Sequence, residues 1–414
     1  MHPCIINEQL ILHLPVMPKI LRIINRLNIG GPAFNAAYLT KYLSPEFETL
    51  LVAGMIDDTE ASADFVTQEM GLKPVYIPEM YREIQLLKDR QAYLRLKTII
   101  ADFKPDIVHT HAAKAGTLGR LAAAAHGVPV VLHTFHGHVF HSYFSPWKTN
   151  LFIRIEQFLA KKSTCIIAIS RQQKDELSNK YAICKPEKIE VIPLGFNLEK
   201  FSTGQTAKRI KFREQYRVED NEIVIVIVGR LVPVKNHALF LHVLHALKSQ
   251  TSKKIRAFII GDGEYRNQLE SLAASLDIDF TDYNTHPRPA LLTFTSWITE
   301  VDEVYAGADI VALTSLNEGT PVSLIEAQAA GKAIVTTNVG GIGDIVIHGQ
   351  TALVSEADDK KGFIANLLRL VDDGDFRCKM SSYDATLVSA RFDYRRLITE
   401  TASLYNRLLN STGS

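Results

Sequence analysis

Cysteine is scarce in this chain: four residues, Cys4, Cys165, Cys184 and Cys378, with no paired spacing among 414. That excludes a disulfide-framed mini-protein, and Cys165 inside the apolar run CIIAIS reads as a buried thiol of a reducing cytoplasm. Long hydrophobic runs are missing as well, since nothing approaches the ~18 consecutive apolar residues of a spanning helix. So is charge of one sign: 46 Lys and Arg stand against 45 Asp and Glu, and a net charge of +1 removes the electrostatic argument for a nucleic-acid partner. The chain has no P-loop, nucleophile elbow or zinc-protease helix. Neither NIGGPAFNAA nor GDGEYRN is a G-x-G-x-x-G fingerprint, which leaves a NAD enzyme poorly supported.

What remains is an ordinary globular composition, 46% hydrophobic and 22% charged, with 23 Gly and 16 Pro, which excludes collagen and disorder. The length suggests two domains. Short apolar runs separated by helical stretches fill residues 20 to 195: ILRIIN, ETLLVAG, PVYIP, DIVHTH, VPVVLHTF, CIIAIS and IEVIPLG. This alternation predicts an α/β domain with a parallel sheet covered on both faces. The pattern restarts at EIVIVIVGR and continues through IRAFIIGDG, a weaker strand near Thr293 to Ile298, ADIVALTS, KAIVTTN and TALVSE, then closes on helical patterns. The expected organisation is an N-terminal extension over 1–16 outside the fold, with Met17 the natural start, Rossmann-like domains over 17–200 and 201–390, and a final helix over 391–414. Residues 1–200 hold 23 Lys and Arg against 19 Asp and Glu, and nine of the 14 His, so the first half is the likelier to meet an anionic surface.

Ligands of such sheets bind at the carboxyl ends of strands, so the residues just after strands carry the chemistry. In ADIVALTSLNEGTPVSLIEAQAAGKAIV, a strand ends in a loop with Glu318 and Gly319, Thr320 is placed to cap a helix, Pro321 suits its first position, and Glu326 follows in its second turn. Helix amides favour phosphate, and the carboxylates accept bonds from sugar and ribose hydroxyls. Taken alone, the two Glu read as a solvated loop acid and an early-helix acid mildly favoured by the helix dipole. Arg230 and Lys235 in VGRLVPVKNH follow a strand and suit a departing diphosphate, or else a solvated basic turn. Gly30 and Gly31 let backbone approach a phosphate, or make a plain tight turn. Seven His lie between His109 and His141; a metal is conceivable, but no acid or Cys completes a ligand set, and use of at least one His on substrate is expected. His133, inside an apolar strand, reads as a core histidine.

In combination and order, NIGGP, HTFHG, IVGRLVPVKN, IIGDGE, the Glu318–Glu326 segment, NVGG and RFDYRRLITETASLYNRLL resemble the GT-B glycosyltransferases, specifically family 4 of the retaining enzymes. The resemblance runs from about Met17 to the last helix. It implies two Rossmann-like domains facing a cleft, the last helix returning to the first domain, and sugar transfer from a nucleotide-diphosphate donor with retained anomeric configuration and no metal or other cofactor. By similarity Glu318 and Glu326 are the pair of an E-x7-E motif, contacting sugar and ribose. Arg230, Lys235 and Gly31 meet the diphosphate, and His136 is the acceptor-side histidine near the sugar. The segment from Asp279 to Trp297 is longer than usual for the family and borders the base; UDP is the expected donor base and GDP the next.

The expected acceptor is a glycan or lipid-linked saccharide of cell-surface polysaccharide synthesis, the expected place the cytoplasm and the inner face of the membrane. SPWKTNLFIRIEQFLAKK carries an apolar stripe with cations and a Trp that fits either packing on the sheet, the preferred reading, or contact with an anionic membrane. The rival functions are a sugar-nucleotide epimerase of the same architecture, which would act on donor alone, and a non-catalytic sugar-nucleotide binder, against which Glu318, Arg230, Lys235 and His136 together argue.

Overall fold

The computed structural model of the chain describes residues 17–28, 30–56, 62–137, 146–382 and 385–412. The expected extension over 1–16, with Cys4, lies outside them, as do His138 and His141. Among the described residues, fourteen strands make two seven-stranded sheets in which every pairing between strands is parallel. In the first sheet are β1 (Lys19–Ile24), β2 (Glu48–Gly54), β3 (Val75–Ile77), β4 (Ile107–His111), β5 (Val130–Phe135), β6 (Cys165–Ala168) and β7 (Ile189–Val191), in the order β3-β2-β1-β4-β5-β6-β7. The second holds β8 (Glu222–Val228), β9 (Lys254–Ile260), β10 (Phe280–Asp282), β11 (Leu292–Ser296), β12 (Ile310–Leu313), β13 (Ala333–Thr337) and β14 (Leu353–Ser355), in the order β10-β11-β9-β8-β12-β13-β14. Both orders reverse once, at β1/β4 and at β8/β12, which places a ligand crevice beyond the carboxyl ends of those four strands.

The strands form because their side chains are apolar on both faces. Ile225 and its neighbours Val224 and Val226 are fully buried, each contributing about 1.5–3 kcal/mol, and a charge at any of them would break the central strand. Helices such as Lys360–Asp372 turn Phe363, Leu367 and Leu370 into the core of the second sheet, and the Asp359 carboxylate caps that helix through the Gly362 amide at 2.8 Å. Strand β10 went unforeseen in the sequence: it is a three-residue edge strand just before Pro287 and Pro289, too short to show a period.

The chain crosses between the sheets twice at one place. Phe196 donates its amide to the Phe392 carbonyl at 2.7 Å, and Tyr394 donates back to Phe196 at 3.1 Å. Helix Tyr394–Thr412 then lies on the first domain. Leu397, Leu404 and Tyr405 enter a core with Ile20, Leu39 and Phe47; Tyr394 stacks on Tyr38 at 5.1 Å; and Arg396 donates to the carbonyls of Pro193 and Leu194 at 2.6 and 3.0 Å.

Candidate active site

The ends of β8 and β12 bring the second domain's predicted residues together. After β8 the chain turns through Gly229 and Arg230 into a short 3-10 turn, Pro233–Lys235, ahead of helix His237–Gln250. A Cβ on Gly229 would lie 3.8 Å from the Lys235 side chain, so Lys235 runs back along the strand end. Its ammonium meets Glu318 Oε1 at 2.6 Å, and the Ser315 hydroxyl donates to the same oxygen at 2.6 Å. The Arg230 side chain, by contrast, is exposed and makes no hydrogen bond or ion pair among the described residues, while its carbonyl accepts from the Val232 amide at 3.0 Å. One cation is thus held against the loop acid and one stands unneutralised at the mouth of the strand.

The loop after β12 differs from the expectation at its helix start. Thr320 does not cap: the helix is Val322–Ala329, Pro321 is its N-cap residue in extended backbone (φ −72°, ψ 96°), and no side chain caps it. The cause is the glycine pair Gly340–Gly341 in the turn after β13. Gly340 is left-handed (φ +51°), and a Cβ there or on Gly341 would collide with the carbonyl oxygens of Glu318 and Gly319. That contact, with the Gly341 amide donating to Glu318 at 3.1 Å, draws Glu318–Gly319 toward Gly340–Gly341 and away from helical geometry. The first-turn amides of the helix therefore keep no side-chain acceptor, as an anion site requires.

Glu326 lies one helical turn in, half-buried, and its pKa is raised from 4.5 to about 7. Burial is the main cause. The Tyr305 hydroxyl, near the carboxylate but outside regular hydrogen-bond geometry, and the Lys200 ammonium pull it partway back, while Asp302 adds to the rise. Tyr38 of the first domain feels the same carboxylate; burial first, then its tyrosine neighbours and Glu326, push its phenol to about 12.

Across the cleft, Gly30 (φ +155°) starts helix Gly31–Tyr42. A Cβ on Gly31 would stand 3.0 Å from Leu194 and 3.6 Å from Val322, so its backbone faces the start of the Glu326 helix. His136 follows β5, and its carbonyl lies 3.4 Å from where a Cβ on Gly319 would be. Its ring joins a buried chain: His136 Nε2 is 2.8 Å from His111 Nδ1, and burial lowers its pKa to about 3. His109 and His111, also buried, are held well below their ordinary values, by desolvation first and then by neighbours that include Arg22. His133 is the core histidine expected, bonded to Thr110 at 2.9 Å. Among the described residues no group of three or more His, Cys, Asp or Glu is arranged to hold a metal ion.

Predicted residues from both domains thus come together: Gly31, directly after Gly30, faces Val322, and Gly319 faces the His136 carbonyl, beside the Lys235–Glu318 pair, with half-buried Thr320, buried Pro321 and half-buried Glu326 following Gly319 in the chain and Arg230 exposed after β8. Sequence reasoning missed Tyr38, Tyr305 and His237. His237 begins its helix beside Lys235, buried with both ring nitrogens unpartnered among the described residues and its pKa lowered to about 4 by burial and then by Lys235. The one available signal was its position two residues after Lys235.

Two parallel doubly wound sheets with their carboxyl ends brought together define a class by architecture, the two-domain GT-B fold. Residues 29–200 match Glycosyltransferase Family 4 and residues 208–386 match Glycosyl transferases group 1. The chain is 33% identical over 304 residues, 73% of its length and 76% of the relative's, to the UDP-Gal:alpha-D-GlcNAc-diphosphoundecaprenol alpha-1,3-galactosyltransferase of Escherichia coli. It is 26% identical to the capsular polysaccharide biosynthesis glycosyltransferase CapM of Staphylococcus aureus, covering 81% of this chain and 86% of that one. The protein belongs to the family 4 glycosyltransferases of GT-B fold. Its fold is similar to that of Anabaena HepE in complex with UDP and glucose, with a TM-score of 0.77 at 18% identity over 94% of this chain and all of that one. It is likewise similar to sucrose-phosphate synthase of Thermosynechococcus elongatus, with a TM-score of 0.78 at 18% identity over 95% and 100% of the chains.

Proposed function

We propose that this glycosyltransferase moves a hexose from a UDP-sugar to a lipid-linked saccharide with retention of anomeric configuration and without a metal, in the synthesis of a surface polysaccharide. The observation that carries the proposal is the meeting of Gly319 with the His136 carbonyl and of Val322 with Gly31, beside the Lys235–Glu318 pair, at the carboxyl ends of strands from both sheets. Breaking the sugar–diphosphate bond builds positive charge on the sugar and negative charge on the departing phosphates. Arg230, Lys235, the Gly31 backbone and the uncapped helix at Val322 supply preorganised positive potential for the phosphates. Glu326 accepts from ribose hydroxyls. Glu318 leaves its bond with Lys235 when the diphosphate takes that cation and turns to the sugar, while His136 contacts the sugar from the acceptor side. Trp297, exposed and 3.6 Å from the Cβ position of Gly261 near Gly229, offers a ring for the base.

The acceptor reading draws on the E. coli relative's lipid-linked substrate and on the helix Pro146–Lys161. The preferred expectation that its apolar stripe packs on the sheet holds for Leu159, which is buried, and for Phe152, which packs against the core of Phe135, Ile166 and Ala168. Trp147, Leu151 and Phe158 are 65%, 49% and 51% exposed, with Lys148, Arg154, Lys161 and Lys162 on the same helix or directly after it. Such a surface suits an anionic bilayer. The protein should partition onto anionic vesicles, and less so after Trp147→Ser, Leu151→Ser and Phe158→Ser together; equal partitioning of both would remove the membrane contact.

The test of the donor is a thermal-shift and transfer panel of UDP-galactose, UDP-glucose, UDP-N-acetylglucosamine, GDP-mannose and ADP-glucose with a GlcNAc-diphospholipid acceptor. UDP-sugars should stabilise the protein and one of them should be consumed only with acceptor present. Stabilisation by GDP-mannose alone would overturn the UDP assignment, and epimerised sugar formed from donor alone would overturn transfer.

A further inference from the structure

Arg22 sits in the middle of β1 with no exposed surface and no carboxylate within reach among the described residues. Its Nε and Nη2 make no hydrogen bond there. A buried cation without an acid is costly, and an apolar side chain of similar length would pack there at lower cost. Its bonded atom is Nη1, which reaches His109 Nδ1 at 2.9 Å, His111 Nε2 at 3.3 Å and the Tyr405 hydroxyl at 3.3 Å. Tyr405 comes from the returning C-terminal helix and also meets His109 Nδ1 at 2.6 Å.

A guanidinium only donates. Nη1 has two protons for three neighbours, and a bare His109 Nδ1 and a bare His111 Nε2 are the arrangement that sets no ring N–H against the guanidinium, with the Tyr405 hydroxyl donating to His109 Nδ1. Each ring is neutral and carries one proton, so His109 donates through Nε2 to Thr134 Oγ1 at 2.7 Å, and His111 donates through Nδ1 to His136 Nε2 at 2.8 Å. His136 Nε2 is then bare as well, and its proton is on Nδ1. That nitrogen is buried and has no partner among the described residues, on the residue whose carbonyl meets Gly319 across the cleft.

We propose that Arg22 is a positioning residue that, through His111, fixes His136 as the Nδ1–H tautomer, so that His136 offers substrate a hydrogen-bond donor and never an acceptor. The inference rests on the glycosyl-transfer reading for its use, but the tautomer itself is a property of the free protein. The donor suits a sugar hydroxyl or phosphate oxygen and disfavours a donor-only group such as an ammonium at the same place. Without Arg22 both directions of the His111–His136 bond become available, and part of the population presents a lone pair instead.

The test is long-range proton–nitrogen NMR of the 15N-histidine-labelled full chain, with His136 and His111 assigned from His136→Ala and His111→Gln. Wild type should show His136 protonated on Nδ1 and His111 likewise; His136 protonated on Nε2 overturns the proposal whatever the activity does. In Arg22→Met both rings should become tautomer mixtures, and kcat/KM for transfer should fall about tenfold, the worth of one hydrogen bond. In a His136→Ala background the same substitution should change kcat/KM no further. Unchanged tautomers in a folded Arg22→Met, or an undiminished loss in the His136→Ala background, would show that Arg22 serves the fold alone. Should Arg22→Met fail to fold, the wild-type spectrum decides.

Discussion

Replacing Glu326 by Gln should stabilise the free protein and weaken its hold on the nucleotide. Burial raises this carboxyl from 4.5 to about 7, so the folded state binds its proton more tightly than the unfolded chain does. The sign follows from linkage: the neutral acid's contribution is fully present below pH 4.5 and is lost as pH rises through about 7. At 1.36 kcal/mol per pKa unit, the charge costs the fold at most about 3 kcal/mol at pH 8. Gln stays neutral throughout. The variant should match wild type at pH 4.5 and exceed it at pH 8, by a Tm difference of up to roughly 6–12 °C given about 2–4 °C per kcal/mol in a domain of this size. Binding moves the other way: exchanging a charged acceptor for a neutral one at the ribose costs about 1–1.5 kcal/mol, roughly fivefold to tenfold in Kd. Calorimetric melts from pH 4.5 to 8, with UDP titrations at each pH, measure both. In wild type UDP affinity should rise with pH up to about 7, with proton release, and level off above. A Tm difference independent of pH, or wild-type affinity for UDP in the variant, would refute the placing of this carboxylate at the ribose.

Removing either cation, Arg230→Ala or Lys235→Ala, should cost about 2.7–4 kcal/mol of transition-state stabilisation, a loss of two to three orders of magnitude in kcat that steady-state kinetics decide; Arg230→Ala should leave the melting profile unchanged, while Lys235→Ala, which strands the Glu318 carboxylate, should lower it. Gly341→Ala should push Gly319 off the turn that fixes it and abolish most transfer while sparing the first domain, whose core is remote from it; activity near wild type would show that the loop does not depend on this contact. Glu156→Ala strands Arg120, which is wholly buried and bonded to it at 2.7 Å, and should cost about 3–5 kcal/mol in denaturant unfolding without changing KM in the folded fraction.

The second domain's candidate residues could be placed from sequence because they are local: β12, the Glu318 loop and the Glu326 helix are one stretch of sequence, and Arg230 and Lys235 follow β8 within seven residues. Strand ends could be read because an unbroken β-branched run such as IVIVIV has few other readings. The helix start was misplaced by one residue because the force that sets it, contact with Gly340–Gly341, comes from a turn about twenty residues later. The histidine chain was legible only as a count. Its order depends on Arg22, 87 residues before His109, and on Tyr405, 383 residues beyond Arg22, and no spacing rule connects them. A charged residue inside the apolar run ILRIIN was the one trace it left.

The central claim is that the cleft between His136 and Glu318 transfers a sugar on one face of the ring. Proton NMR of the product formed from an α-linked UDP-sugar and the GlcNAc-diphospholipid acceptor tests it directly. The new glycosidic bond should show the small anomeric coupling of an α linkage. A β linkage, or release of free sugar with the acceptor untouched, would contradict the account.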